Sequence, residues 1–120
     1  MTRVPVCARE ELADGERTLV EADGAEIAVI AHDGDLYAVS NTCLHDGGPI
    51  CRGSVHGALA REMTPAGERD REYFTDRPAV ACPWHGWEYY LDTGEHVGDS
   101  NLALPTYGVV VEDGDVFVEV

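Results

Sequence analysis

Two short fragments of this 120-residue chain each place a cysteine close to a histidine. Cys43 and His45 are separated by one residue, and Cys82 and His85 by two. Glycine and proline adjoin both pairs, which predicts tight loops with backbone N–H groups free to donate to sulfur. Two thiolates and two imidazoles are the ligand set of a cluster in which the cysteines bind one iron and the histidines the other. The sequence therefore predicts electron transfer.

A structural zinc site is the alternative use of the same four side chains. Zinc sites usually pair cysteine with cysteine about two to four residues apart, and histidine with histidine about three to five apart. Each pair in this chain is mixed, which disfavours zinc. Analysis for iron and acid-labile sulfide distinguishes the two.

The length of the chain predicts a single domain covering residues 1–120. Its formal net charge of -15 makes nucleic acid and an anionic membrane surface improbable partners. This charge reflects either a general acidic composition or a surface that steers a basic partner protein, and composition does not separate the two. We expect a cytoplasmic protein, because no apolar signal region or bilayer-spanning run is present in the sequence.

Short β-prone runs separated by turn residues predict an all-β fold. Asp23-Gly24 and Asp33-Gly34 are hairpin dipeptides, and the same signal predicts a hairpin at Glu112-Asp113-Gly114-Asp115. A helical turn is predicted at residues 10–13, and a weak helical period appears at 55–63. The predicted strands cover residues 18–21, 25–31, 36–40, 79–81, 88–91, 107–111 and 116–120.

A charged excursion at residues 52–77 lies between the two fragments. It contains five arginines and five acids, so the remaining chain holds the whole net charge. A solvated surface segment is the simpler interpretation. The functional hypothesis is a flap beside the metal loops that contributes to partner choice.

The fragments Cys43-Leu44-His45-Asp46-Gly47-Gly48-Pro49 and Cys82-Pro83-Trp84-His85-Gly86-Trp87 resemble the two loops of soluble Rieske-type [2Fe-2S] ferredoxins. The resemblance implies a Rieske fold, an antiparallel β-sandwich base with a cluster-binding subdomain formed by two loops. It implies one Rieske-type [2Fe-2S] cluster, with Cys43 and Cys82 on the inner iron and His45 and His85 on the outer one.

The resemblance also implies a one-electron carrier between a flavin-dependent ferredoxin reductase and a terminal oxygenase. An accessory subunit of a larger redox enzyme, such as nitrite reductase, is the alternative. A non-redox binding module is a further, minor possibility. We do not expect a catalytic enzyme, because an oxygenase needs a separate iron site with two histidines and a carboxylate. The histidines left after the cluster ligands, at positions 32, 56 and 96, are too scattered to form one.

Departures from the respiratory members of the family predict a low reduction potential. Gly48, Trp84 and Trp87 stand where respiratory proteins have an additional disulfide and a serine, so we expect the low end of the range of about −150 to +300 mV. Tyr89 is either a donor to a ligand thiolate, which would raise the potential, or a half-buried strand tyrosine.

Structural roles are expected for the other reactive side chains. Cys7 and Cys51 are predicted to pack as small hydrophobes. His32 and His96 follow or adjoin turns and are expected at the surface, and His56 is expected to be solvated within the excursion. The two tryptophans that flank His85 are expected to shield the cluster.

Overall fold

The computed structural model describes residues 2–22, 24–44, 47–62, 71–84 and 86–120. Within these ranges lie eleven strands and two short 3₁₀ helices, Arg9–Glu11 and Ile50–Arg52. The all-β prediction is confirmed. The strands are β1 Arg3–Ala8, β2 Arg17–Ala22, β3 Ala25–His32, β4 Asp35–Ser40, β5 Ser54–Glu62, β6 Arg71–Ala81, β7 Glu88–Tyr90, β8 Glu95–His96, β9 Asp99–Ala103, β10 Thr106–Glu112 and β11 Asp115–Glu119.

Two antiparallel sheets form the fold. The first has the order β1-β11-β10-β4-β3-β2 and forms the base. The second has the order β5-β6-β7-β8-β9. No helix in the described part of the chain has the length and apolar character needed to cross a bilayer.

Two predicted Asp-Gly turns have the backbone that this dipeptide favours. Asp33 and Gly34 have φ values of 51° and 84°, and Asp113 and Gly114 have φ values of 52° and 81°. Two successive residues with positive φ match the right-handed twist of the strands they join. The turn between β2 and β3 includes Asp23, which lies outside the described residues, although its flanking strands pair from Ala22↔Ala25 onward.

The main core lies between the two sheets and reaches the cysteine loops. Ile30 and Val39 of the base pack in one cluster with Val80 and Tyr89 of the second sheet. Both loop cysteines, at positions 43 and 82, belong to this same cluster. The two loops therefore lie at the end of a shared apolar core.

The excursion at 52–77 contains most of a long β-ribbon. The weak helical period at 55–63 was a wrong indication, since β5 covers Ser54–Glu62, while Met63 lies outside the described residues. Pairing of β5 with β6 from Ser54↔Ala81 to Glu62↔Arg71 provides a ladder that outweighs a weak helical pattern. The predicted strand at 79–81 is correct but is only the end of β6, which begins at Arg71.

Strands β1, β8 and β9 are not among the strands predicted from the sequence. Strands β8 and β9 are polar and only two and five residues long, so they lack the alternation that identifies a strand. The predicted helical turn at 10–13 is present as the 3₁₀ turn Arg9–Glu11.

Candidate metal centre

Both cysteine loops are closed by the same pair of backbone hydrogen bonds. In the first loop, Gly47 N donates to Cys43 O at 2.9 Å and Cys43 N donates to Gly48 O at 3.0 Å. In the second loop, Gly86 N donates to Cys82 O at 2.9 Å, and Cys82 N donates to the main-chain oxygen five residues later at 2.7 Å. The two loops thus present their cysteines in closely related backbone frames.

A glycine four residues after each cysteine makes this closure possible. Gly47 and Gly86 have φ values of 77° and 73°, in the left-handed region that residues with a Cβ adopt at a cost. The sequence showed these glycines and the tight loops they predict. The equal spacing from cysteine to glycine is the signal that could have revealed the common frame.

The thiols of Cys43 and Cys82 are withdrawn from water. Each cysteine exposes 3% of its surface. All four cysteines of the chain lie in the described residues, and none of them forms a disulfide. Buried thiols without a disulfide are suited to metal ligation, since the metal supplies the charge that stabilises a thiolate.

The two loops approach each other closely at Gly48. A Cβ at this position would lie 2.6 Å from Cys82 Sγ and 3.1 Å from two ring atoms of Trp84. A side chain larger than hydrogen would therefore collide with the thiol. The space beside Cys82 Sγ stays open because residue 48 is a glycine.

Tyr89 links the second sheet to the first loop. Its ring is fully buried, and its hydroxyl lies 3.2 Å from Cys43 Sγ. Leu44 N donates to the same hydroxyl oxygen at 3.2 Å. Either atom could donate in this pair; with Cys43 bound to a metal as a thiolate, which carries no proton, the O–H of Tyr89 would be the donor. Burial, followed by the hydrogen bond with Cys43, raises the pKa of Tyr89, so the hydroxyl keeps its proton. The donor geometry considered from the sequence is present.

Asn41 anchors the first loop, a role that was not anticipated from the sequence. Its side chain is buried, and Oδ1 accepts a hydrogen bond from Cys51 N at 2.8 Å. Its backbone connects the start of the loop to the loop's far end and to the base sheet. Asn41 O accepts from Ile50 N at 2.8 Å, and Asn41 N donates to Glu26 O of β3 at 3.0 Å. A polar residue between a buried strand and a cysteine loop was the available signal.

Arg17 is a second anchor that sequence reasoning missed. Its guanidinium reaches from β2 and donates to Cys51 O at 3.1 Å and to Gly53 O. These carbonyls lie at the end of the 3₁₀ turn that follows the first loop, where carbonyl groups lack helical partners. Nothing local in the sequence pointed to a contact over this distance along the chain.

The predicted histidine ligands, His45 and His85, lie outside the described residues, so their placement stays a prediction. Among the described residues, no group of three or more side chains is arranged to hold a metal ion. Cys43 and Cys82 are the two members of the predicted set that the structure places.

The remaining candidates have mostly structural positions. Cys7 and Cys51 are half-buried, as expected. Cys51 packs against the main core, and Cys7 packs against a second buried cluster that includes Ile27, Val29 and Val118. His32, expected at the surface, is instead half-buried at the end of β3. His96, expected at the surface, is half-buried with its ring against two aromatic side chains. The side chain of His56 lies outside the described residues.

The two tryptophans of the second loop differ in exposure. Trp84 exposes 57% of its surface although its ring lies beside Gly48. Trp87 is half-buried and packs against the main core. The expected shielding role suits Trp87 better than Trp84.

Comparison with known proteins identifies the family. A family model for the Rieske [2Fe-2S] domain matches residues 2–108, and the chain belongs to this family. The chain is 31% identical to the 3-phenylpropionate/cinnamic acid dioxygenase ferredoxin subunit of Photorhabdus laumondii subsp. laumondii, over 100% of the chain and 96% of the relative. Family membership confirms the expected [2Fe-2S] cofactor, and the relative is named as a ferredoxin component, in agreement with the expected class of electron carrier.

Solved structures share the fold. A protein described as an NADH-dependent nitrite reductase small subunit from Mycobacterium tuberculosis is 26% identical with a TM-score of 0.77, covering 98% of this chain and 93% of that one. A ferredoxin in complex with the oxygenase of carbazole 1,9a-dioxygenase is 23% identical with a TM-score of 0.72, covering 97% and 91%. The second likeness shows the fold alone.

The described residues fit a group of this kind. Two buried thiols lie in loops with similar backbone hydrogen bonds. The Tyr89 hydroxyl is positioned to donate to Cys43, and Gly48 leaves space beside Cys82. Hydrogen bonds to ligand sulfurs and exclusion of water are the features with which proteins adjust such a centre.

Proposed function

We propose that this protein is a freestanding one-electron carrier that receives electrons from a flavin-dependent ferredoxin reductase and delivers them to a terminal oxygenase. Support comes from family membership and from similarity along the whole chain to a dioxygenase ferredoxin subunit. A ferredoxin of the same fold has been solved together with its oxygenase. The observation on which the proposal depends is the pair of buried thiols in two similar loops. One of these thiols, Cys43, is within hydrogen-bond distance of the Tyr89 hydroxyl.

Four side chains are proposed as ligands of the cluster. Cys43 and Cys82 would hold the inner iron, and His45 and His85 the outer one. When bound, the group supplies reversible uptake of one electron. Its total charge is less negative than that of a four-thiolate centre, which makes reduction easier.

The other residues adjust this site. The main core excludes water from the thiolates, and the Tyr89 hydroxyl donates to Cys43 Sγ at 3.2 Å. A donor to sulfur favours the more negative, reduced state, so this bond raises the potential. It offsets part of the lowering of the potential expected from the absence of the serine donor and of the disulfide that respiratory members have in these loops.

The charge of the chain suits brief encounters. A net charge of -15 steers a basic partner at low ionic strength, and salt screens this attraction beyond about 10 Å at 0.1 M. We therefore expect the rate of reduction by the reductase to fall as salt increases, which is measured by stopped-flow absorbance.

The test begins with anaerobically purified protein. We expect two irons and two acid-labile sulfides per chain, and a visible chromophore that dithionite bleaches and air restores. His45→Ala and His85→Ala, each compared with His32→Ala, test the ligands. Loss of the chromophore in the first two and retention in the third supports the assignment. A chromophore that survives the double replacement of His45 and His85 refutes it.

An accessory subunit of a larger redox enzyme is the second candidate. The specific observation in its favour is the nitrite reductase small subunit, which matches nearly the full length of both chains. Copurification with a large partner at high salt favours this function. Isolation of the chain alone, with rapid turnover by a ferredoxin reductase, favours the mobile carrier.

Location in the cytoplasm is part of the proposal. Four cysteines without a disulfide, all in the described residues, are typical of a reducing compartment. Fractionation of cells that produce the protein at native level tests this location.

A further inference from the structure

His96 faces the tyrosine that contacts the first cysteine. In the ladder between β7 and β8, His96 stands directly opposite Tyr89. The two rings meet edge to face, with centroids 5.5 Å apart and an interplanar angle of 85°. Trp87 meets the same histidine at 4.8 Å and 76°. Directly opposed side chains of this kind stabilise an antiparallel pair.

The imidazole of His96 is itself held in place. Gly98 N donates to His96 Nδ1 at 3.0 Å, which closes the turn between β8 and β9. An accepting Nδ1 has no proton, so in the neutral ring the proton is on Nε2. His96 is half-buried, and its ring orientation is fixed by the backbone of its own turn as well as by its aromatic neighbours.

Tyr89 has a hydroxyl fixed at one end and a ring that needs support at the other. Its oxygen lies 3.2 Å from Cys43 Sγ and 3.2 Å from Leu44 N. A tilt of the ring would lengthen both contacts, and hydrogen bonds weaken steeply with poor geometry. The support comes from the core and from His96, which lies on the neighbouring strand β8.

We propose that His96 is a positioning residue that sets the reduction potential through Tyr89. The ring of His96 holds the ring of Tyr89 at the angle that keeps its O–H on Cys43 Sγ. His96 contacts neither the cysteine nor, in this role, the cluster. The inference rests on the proposed function, because a thiolate ligand at Cys43 is what makes this hydrogen bond affect a potential.

The central experiment is a double-mutant cycle on the reduction potential, measured by protein-film voltammetry. We expect His96→Ala to lower the potential by part of the shift that Tyr89→Phe causes. In the Tyr89→Phe background, His96→Ala should cause no further shift, because the bond it supports is already absent. An unchanged potential in His96→Ala, or equal shifts in the two backgrounds, overturns the proposal.

Two further variants separate positioning from general damage. His96→Phe keeps an aromatic ring opposite Tyr89, and we expect it to restore the wild-type potential. A shift as large as that of His96→Ala overturns the role of the ring. His32→Ala removes a half-buried histidine from the base sheet, and the potential should stay unchanged.

Hydrogen exchange gives a readout that does not depend on the cluster. The Leu44 amide donates to the Tyr89 hydroxyl, so peptides that include Leu44 should exchange faster in His96→Ala, in both loaded and cluster-free protein. Wild-type protection in that variant overturns the positioning role. Iron and sulfide analysis distinguishes failure of the proposed function from failure of the role assigned to His96. Absent iron and sulfide refute the proposed function, whereas a loaded cluster with an unchanged potential refutes only the role of His96.

Discussion

The two cysteine loops have related backbone closures but different supports. The second loop joins two strands that pair with each other, with Ala81 opposite Glu88 at its base. The first loop follows β4 and leads into the Ile50–Arg52 turn, and its base is a single bridge between Thr42 and Pro49. The second loop is therefore closed by a local ladder. The first depends on contacts from distant parts of the chain.

Side chains supply what the first loop lacks in strand pairing. Asn41 Oδ1 accepts a hydrogen bond from Cys51 N, and the Arg17 guanidinium donates a hydrogen bond to Cys51 O. Tyr89, from the strand after the second loop, reaches across to Cys43. The stability of a metal centre held by both loops would therefore depend on side-chain hydrogen bonds at the first loop and on strand pairing at the second.

The largest expected effect comes from the point where the loops meet. Gly48→Ala would place a Cβ 2.6 Å from Cys82 Sγ, so we expect most of the cluster to be lost. Overpacking of this kind costs about 1–3 kcal/mol of folding free energy. Iron content and the visible spectrum of freshly purified protein measure the effect.

Gly86→Ala is the matched control for this prediction. Among the residues that the structure describes, its Cβ would meet nothing within 4 Å, and the unfavourable feature is the positive φ of 73°. That strain costs about 1–2 kcal/mol and leaves the space beside the thiols open. Equal loss of cluster in both variants would contradict a steric role for Gly48.

The next effect tests the anchoring of the first loop. Asn41→Ala leaves the part-buried amide of Cys51 without its acceptor, and an unsatisfied buried donor costs about 1–3 kcal/mol. We expect a lower urea midpoint and faster release of the cluster. Asn101→Ala, at an exposed position in β9, should change stability by no more than about 0.5 kcal/mol. Similar losses in the two variants would show that the first loop does not depend on Asn41.

A smaller effect is expected from the bond that joins the two regions. Tyr89→Phe removes a donor to Cys43 Sγ, an interaction worth about 0.5–1.5 kcal/mol. At 59 mV for each 1.4 kcal/mol in a one-electron couple, the potential should fall by about 20–60 mV. Tyr90→Phe, on the opposite face of the same strand, should leave the potential unchanged. A higher potential in Tyr89→Phe would exclude the donor role.

The smallest effect on the cluster is expected from the ribbon between the loops. Arg77 closes the base of this ribbon, with an ion pair to Asp92 at 3.1 Å and its guanidinium 3.6 Å above the Tyr90 ring. Replacing residues 59–74 by a short turn keeps this base and alters the net charge by one unit. We expect an unchanged spectrum and potential, with a severalfold change in KM for the reductase. Unchanged partner kinetics would remove the flap hypothesis.

Local patterns in the sequence were enough for most of the strands and for the two fragments that carry the candidate ligands. Asp33-Gly34 and Asp113-Gly114 form their turns because two positive φ values are a local requirement. Cys43 and Cys82 are buried, as expected of ligands beside glycine-rich loops. The two histidine ligands and the single-domain boundary at 1–120 remain predictions.

Contacts across the sheets were beyond sequence reasoning. Arg17 and Cys51 are 34 positions apart, and no periodicity links them. His96 was placed at the surface because it follows a turn, whereas the register of a two-residue strand brings it opposite Tyr89. Strands this short have no alternation from which their pairing could be inferred.

The sequence by itself determined which atoms could bind a metal and where the chain must turn, because ligand chemistry and positive φ are properties of single residues and near neighbours. The tertiary structure decided how those atoms are supported. Whether Tyr89 reaches Cys43, and whether Gly48 clears Cys82, depends on the register of strands and the meeting of two loops. These are distances through space, fixed only when both sheets pack on a common core.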